Sequence, residues 1–195
     1  MGTIHCFGLC AYYGILFFCP LLVKEIVTAG DPPAPARRRP DVRVIALSAL
    51  PYIFASAALI GNAAHSRRAR ETRWHAAIPL AFGSVALAVI GPLTSARQRG
   101  LALIALIVAN VGAWAEHGPL ATLWESAADG AEAQAAAFAV INSLGNIGGF
   151  AGTYLLGALQ TDNDYSRGTL VLGVVLGRAS AAFCFRSFNL GFFVC

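Results

Sequence analysis

Charge is scarce in this chain. Asp, Glu, Lys and Arg make up 12% of its 195 residues while 57% are hydrophobic, at a mean hydropathy of +0.63, and soluble domains carry roughly twice that charged fraction. A soluble globular protein is thereby excluded, and an integral membrane protein in a lipid bilayer is expected. There is one Met, and the five cysteines (Cys6, Cys10, Cys19, Cys184 and Cys195) form no CxxC pair and no Cys/His cluster at metal spacing. They read as small buried hydrophobes, with neither a disulfide framework nor a metal site. The arginines form no stripe interleaved with aromatics, so nucleic acid is not an expected partner. No basic residue precedes the first apolar run and no signal-peptidase site follows it, which argues against a cleaved signal peptide. Cys6 stands where a myristoylation signal wants Ser or Thr. A dinucleotide fingerprint is also missing, since no strand and GxGxxG spacing occur together. The nearest nucleophile, Cys6 or Cys10 with His5, has no orienting acid nearby in sequence. No enzyme and no cofactor is expected.

What the chain does have is apolar runs of membrane-crossing length. Six are expected to span as helices, at about residues 4–23, 42–64, 76–93, 101–123, 131–159 and 169–185, because a crossing takes roughly 17–25 apolar residues. The last is the shortest and carries Arg178 in its middle without an obvious acid to pair with it. Between the first two lies a Pro/Arg-rich stretch, 24–41, read as an exposed extended loop. Residues 65–75 hold four arginines and one glutamate, a short basic loop with Trp74 as an interfacial anchor, of the kind found on the cytoplasmic side. Counting all loops gives the opposite orientation, with eight Lys/Arg on the other side against five.

Two stretches carry chemistry. Glu116-His117-Gly118-Pro119 falls about two thirds of the way along the fourth run. Either the helix stops near Ala115 and the pair sits at the water interface, or the pair faces inward at a helix break, as befits solute or proton handling. The second stretch is Asn142 to Gly152, with four glycines in eight positions. Each costs about 1 kcal/mol in a water-exposed helix, but small residues let membrane helices approach closely. Gly145/Gly149 and Gly148/Gly152 are small-xxx-small pairs, and Asn142, Asn146, Gly149 and Thr153 fall on one side of the helix. That side is expected to meet other helices or a watery cavity, as a packing face or a solute path.

The segment Asn142-Ser143-Leu144-Gly145-Asn146-Ile147-Gly148-Gly149-Phe150-Ala151-Gly152-Thr153-Tyr154 resembles the eleventh-helix motif of the anion:cation symporter branch of the major facilitator superfamily, Asn-Ser-x-Gly-Asn-x-Gly-Gly-Phe-x-Gly-Pro-Tyr. Thr153 replaces its proline. The loop from His65 to His75 is similar to that family's link between helices eight and nine, His-Ser-Asp-Arg-x-x-Glu-Arg-x-Trp-His. Ser66, Arg68, Glu71, Trp74 and His75 match, while Arg67 stands where the acid belongs. Phe17 to Lys24 resembles the end of helix seven and Ala49-Leu50-Pro51-Tyr52 the start of helix eight.

The resemblance implies an all-α membrane protein whose six transmembrane helices correspond to one half of a transporter of this superfamily, the C-terminal half. It further implies secondary active, cation-coupled movement (H⁺ or Na⁺) of a small organic anion between two halves. On that reading Asn142, Asn146, Gly149, Glu116 and His117 lie along the substrate path. Ser66, Arg68 and Glu71 belong to a cytoplasmic gate loop, and Gly145, Gly148 and Gly152 serve helix packing. Either a missing N-terminal half or a homo-oligomer is then expected as partner. The alternative is a non-transporting fragment that acts only by association.

Overall fold

The computed structural model describes residues 2–31, 41–125, 130–162 and 164–190. The centre of the Pro/Arg-rich stretch (32–40), part of the connection before the fifth run (126–129) and residues 191–195 lie outside the described residues. Seven helices follow in order: α1 (Gly2–Thr28), α2 (Val42–Ala69), α3 (Arg73–Ser95), α4 (Arg99–Ala115), α5 (His117–Glu125), α6 (Ala131–Ala158) and α7 (Ser166–Leu190). Among the described residues there is no strand beyond an isolated bridge between Thr161 and Asp164. Six segments are long and apolar enough to cross a bilayer, with α4 and α5 together making one, Arg99–Leu123. The protein is an all-α, multi-pass integral membrane protein.

The helices outrun the apolar runs because their polar ends find partners. α1 continues past Lys24 and Glu25, and the Glu25 carboxylate accepts the Tyr165 N–H at 3.4 Å. α2 keeps His65, Ser66, Arg67 and Arg68 inside the helix and ends at Ala69, so the expected eleven-residue loop shrinks to a turn at 70–72. Arg70 closes it in the left-handed region (φ 50°), while Glu71 N–H bonds back to Ser66 O at 3.1 Å, the usual helix-ending arrangement. α7 is longer than its 17-residue run suggests, since Asp164 accepts the Ser166 N–H at 2.8 Å at its start. Arg178 is exposed on its outer surface.

Between helices the apolar side chains of bilayer and protein are equivalent, so close packing and hydrogen bonds decide the contacts. α3 and α7 run antiparallel, joined by Ser84 Oγ donating to Gly173 O (2.7 Å), Ser180 Oγ to Ala77 O (2.8 Å) and Arg73 Nη2 to Cys184 O (2.6 Å). α3 crosses α4 where Gly83 meets Gly112: a Cβ on Gly83 would lie 3.1 Å from the Gly112 Cα. Asn62 of α2 donates to two carbonyls, His75 O and Ala115 O, both at 2.7 Å, tying α2 to α3 and α4. Tyr52 Oη donates to Leu16 O at 2.9 Å and so joins α2 to α1.

α1 and α6 lie parallel along the glycine-rich segment. Gly148 sits on the Cys6 carbonyl, Gly152 on the Cys10 carbonyl, and Gly145 on His5 and Leu9. Burial is uneven. About half of the apolar window of α1, and of the α4–α5 span, is covered, against 22% for α2 and α6. Those two helices therefore present most of their surface outward.

Candidate functional site

α4 stops at Ala115, Glu116 occupies the junction, and α5 resumes at His117. The helix thus ends where one sequence reading put its end, yet the acid is not at a water interface: Glu116 is fully buried. Its two carboxyl oxygens have no hydrogen-bond partner among the described residues. The carboxyl lies directly over the backbone of Gly8, where any Cβ would overlap Glu116 Oε1. Glycine at position 8 is what allows α1 to come this close.

His117 is half-buried, with Nδ1 3.2 Å from Trp114 O. Its ring centroid is 5.8 Å from that of His5 and 5.5 Å from that of Tyr12, and Tyr12 in turn meets Trp114 at 5.1 Å. His5 is buried and its ring donates a hydrogen bond to the Asn142 side chain. One turn before Trp114, Asn110 is fully buried with both amide atoms unpartnered among the described residues, as is Trp114 Nε1. α1, the α4–α5 junction and α6 therefore enclose a polar cluster of His5, Tyr12, Asn110, Trp114, Glu116, His117 and Asn142. Such orphaned groups are costly in an apolar surrounding, which marks the cluster as built for something other than packing.

The expected path residues divide. Asn142 is linked to His117 through His5. Gly149 is buried beneath the Tyr13 ring. Asn146 is exposed, and its amide donates to Asn142 O at 3.0 Å. Gly145, Gly148 and Gly152 are buried against α1. His5, Tyr12 and Asn110 had no assigned role from sequence. For His5 and Tyr12 the signal was the 3- and 4-residue spacing of His5, Gly8 and Tyr12 along one face of α1.

At the basic end of the bundle, Ser66 Oγ donates to Glu71 O at 2.6 Å. The Glu71 carboxylate accepts the backbone N–H of Trp74 at 2.8 Å and of His75 at 3.4 Å, and meets His75 Nδ1 at 2.7 Å. His75 Nε2 lies 2.7 Å from His65 Nδ1. Ser66 and Glu71 are thus brought together, but Arg68 is exposed and in no ion pair among the described residues. Burial works against the Glu71 charge, yet the Trp74 N–H and the His75 ring and N–H hold its carboxyl below the usual carboxylate range. This stabilisation is present at neutral pH and is lost as pH falls below that range. Thr72, the formal cap of α3, makes no side-chain cap, so Glu71 does that work. Glu71→Ala is expected to lower stability in detergent by about 1 kcal/mol, read as a lower melting temperature at pH 7 that converges with wild type in acid.

No protein-family model matches the chain, and no solved structure matches it. Curated relatives do. Two proteins of Agrobacterium vitis named "Putative tartrate transporter" are 35% identical over 132 residues and 37% over 148, covering 67% and 76% of this chain but 28% and 31% of their own length. A "Quinolone resistance transporter" of Acinetobacter baumannii is 27% identical over 169 residues, 84% of this chain and 35% of its own. The chain spans about a third of the length of the relatives it matches. It is a multi-pass integral membrane protein homologous to proteins named as transporters.

Proposed function

We propose that this chain forms the C-terminal six-helix half of a secondary transporter of the major facilitator superfamily, in its anion:cation symporter branch. On this reading a small organic anion moves through a path bounded by α1 and α6, coupled to H⁺ or Na⁺. The observation that carries it is the buried cluster around Glu116: an acid, two imidazoles and amide groups gathered at a helix break inside a membrane bundle. Intramembrane ionisable groups are expensive and mark ion or solute pathways, and broken helices line such sites. The motif-like segments at 65–75 and 142–154 support the same assignment, and so do relatives named for transport.

The sparse coverage of α2 and α6, with Asn146, Phe150 and Tyr154 exposed on α6, favours a second membrane unit against these faces. That unit is the N-terminal half or another copy. If no transport accompanies the association, the chain is a half-protein that acts by oligomerising.

The test is uptake into proteoliposomes holding this chain together with the N-terminal half of one of the Agrobacterium relatives. Labelled tartrate serves as probe, under an imposed pH or sodium gradient. Accumulation that collapses with an ionophore is expected. Absence of carboxylate uptake under every gradient overturns the transport reading, and crosslinking in mild detergent then reports whether the chain pairs with itself.

A further inference from the structure

A cleft of about 360 Å³ opens sideways between α2 and α3, with α4 as its floor. Ala58 and Asn62 form one wall, Pro79 and Phe82 the other, and Val111 and Gly112 the base. It is apolar except for Asn62, whose amide nitrogen is spent on His75 O and Ala115 O at the end of the cleft nearer the basic turn. Phe82 on its rim is 65% exposed and Ile78 is 48% exposed. The volume is too small for another helix, which is about 10 Å across with its side chains. It suits a single flexible hydrocarbon chain, the material that surrounds these spans.

The polar end of that occupant is set by what lies beyond Asn62. His65, one turn further along α2, is exposed; its Nδ1 meets His75, and Nε2 has no partner among the described residues. Arg68 follows a turn later, at the spacing that makes helix side chains neighbours. Arg67, Arg68 and Arg70 are all exposed and in no ion pair among the described residues. Arg73 is already used, bonded to Cys184 O and stacked 4.8 Å over Trp74. The one acid of this turn, Glu71, is engaged by His75 and the start of α3. The end of α2 beyond the cleft thus carries uncompensated positive charge, Arg68 lying roughly 9 Å along the helix axis from Asn62 at 1.5 Å per residue.

We propose that this cleft is a binding site for one anionic phospholipid, its acyl chain between α2 and α3 and its phosphate on His65 and Arg68. Basic groups at the membrane surface attract anionic headgroups, and the cleft adds a seat for the tail. The proposal is independent of any transported solute.

The full chain, reconstituted in phosphatidylcholine nanodiscs, is probed with spin-labelled phosphatidylglycerol and phosphatidylcholine. The immobilised fraction is expected to favour the anionic lipid about fivefold or more, the preference of one such basic contact. Arg67→Gln with Arg68→Gln, both on the exposed surface, is expected to abolish the preference while immobilisation of both lipids persists. Ala58→Phe fills the cleft and is expected to reduce immobilisation of both. Equal retention of the two lipids by the wild-type chain overturns the proposal, as does an undiminished signal in Ala58→Phe. Disulfide crosslinking of Phe82→Cys to a second chain also overturns it, making the cleft an interface between copies.

Discussion

Gly152→Leu is expected to destabilise the chain by about 3 kcal/mol, at the upper end of what overpacking costs, and to separate α1 from α6. At this position the α6 backbone rests on the Cys10 carbonyl of α1, so an added Cβ meets backbone, which cannot swing aside. Gly148 over the Cys6 carbonyl is the same case one turn earlier. Gly157 is different: its nearest neighbour is the ring tip of Phe18 at 3.3 Å, which moves. Gly61 in α2 has nothing within 4 Å. The order of melting temperatures in detergent is therefore Gly152→Leu and Gly148→Leu lowest, Gly157→Ala close to wild type, and Gly61→Leu indistinguishable from it. A Gly61→Leu variant as damaged as Gly152→Leu overturns the claim that these glycines act by close approach to α1.

The same helix shows how far sequence reasoning reached. Gly145, Gly148 and Gly152 announced a close neighbour, because small residues repeating every three or four positions leave a groove that only another helix fills. Which helix filled it was not legible, since no local pattern couples residue 152 to residue 10. Asn142 and Asn146 illustrate the same gap. They share a helical face by spacing, yet one reaches His5 while the other lies exposed, bonded back to its own backbone. Spacing fixes relative angle on a helix but not where the neighbour's edge falls. The six spans were legible because each is a predominantly apolar run of membrane-crossing length, even where Arg178 or Glu116-His117 interrupts it. Their ends were not, because His65 to Arg68 and Lys24 to Thr28 stay helical through caps and hydrogen bonds that hydropathy does not register. The turn at 70–72 is shorter than the expected loop because α2 continues through His65 to Ala69, and Glu71 engages His75 and the α3 N-terminus while Arg68 stays exposed.

On the proposed transport reading, Glu116→Gln is expected to leave the fold within about 1 kcal/mol of wild type while gradient-driven uptake falls about a hundredfold or more, the effect of losing one proton-transferring side chain. The carboxyl sits on the Gly8 backbone with neither a cation nor a hydrogen-bond donor on its oxygens among the described residues. An uncompensated charge there is strongly unfavourable, so this packing suits the uncharged acid, which glutamine copies in shape. The amide cannot release a proton, so stability and coupling part company. Gly8→Ala attacks the same contact from α1. Its new methyl displaces Glu116 Oε1, at a cost of about 1–2 kcal/mol. Glu116→Asp, shorter by one methylene, frees that space. In a double-mutant cycle on melting temperature, Glu116→Asp is expected to rescue Gly8→Ala and to be mildly destabilising alone, the coupling expected of residues in contact. Strict additivity of the two changes would mean that the α1 backbone and the Glu116 carboxyl do not meet in the folded chain.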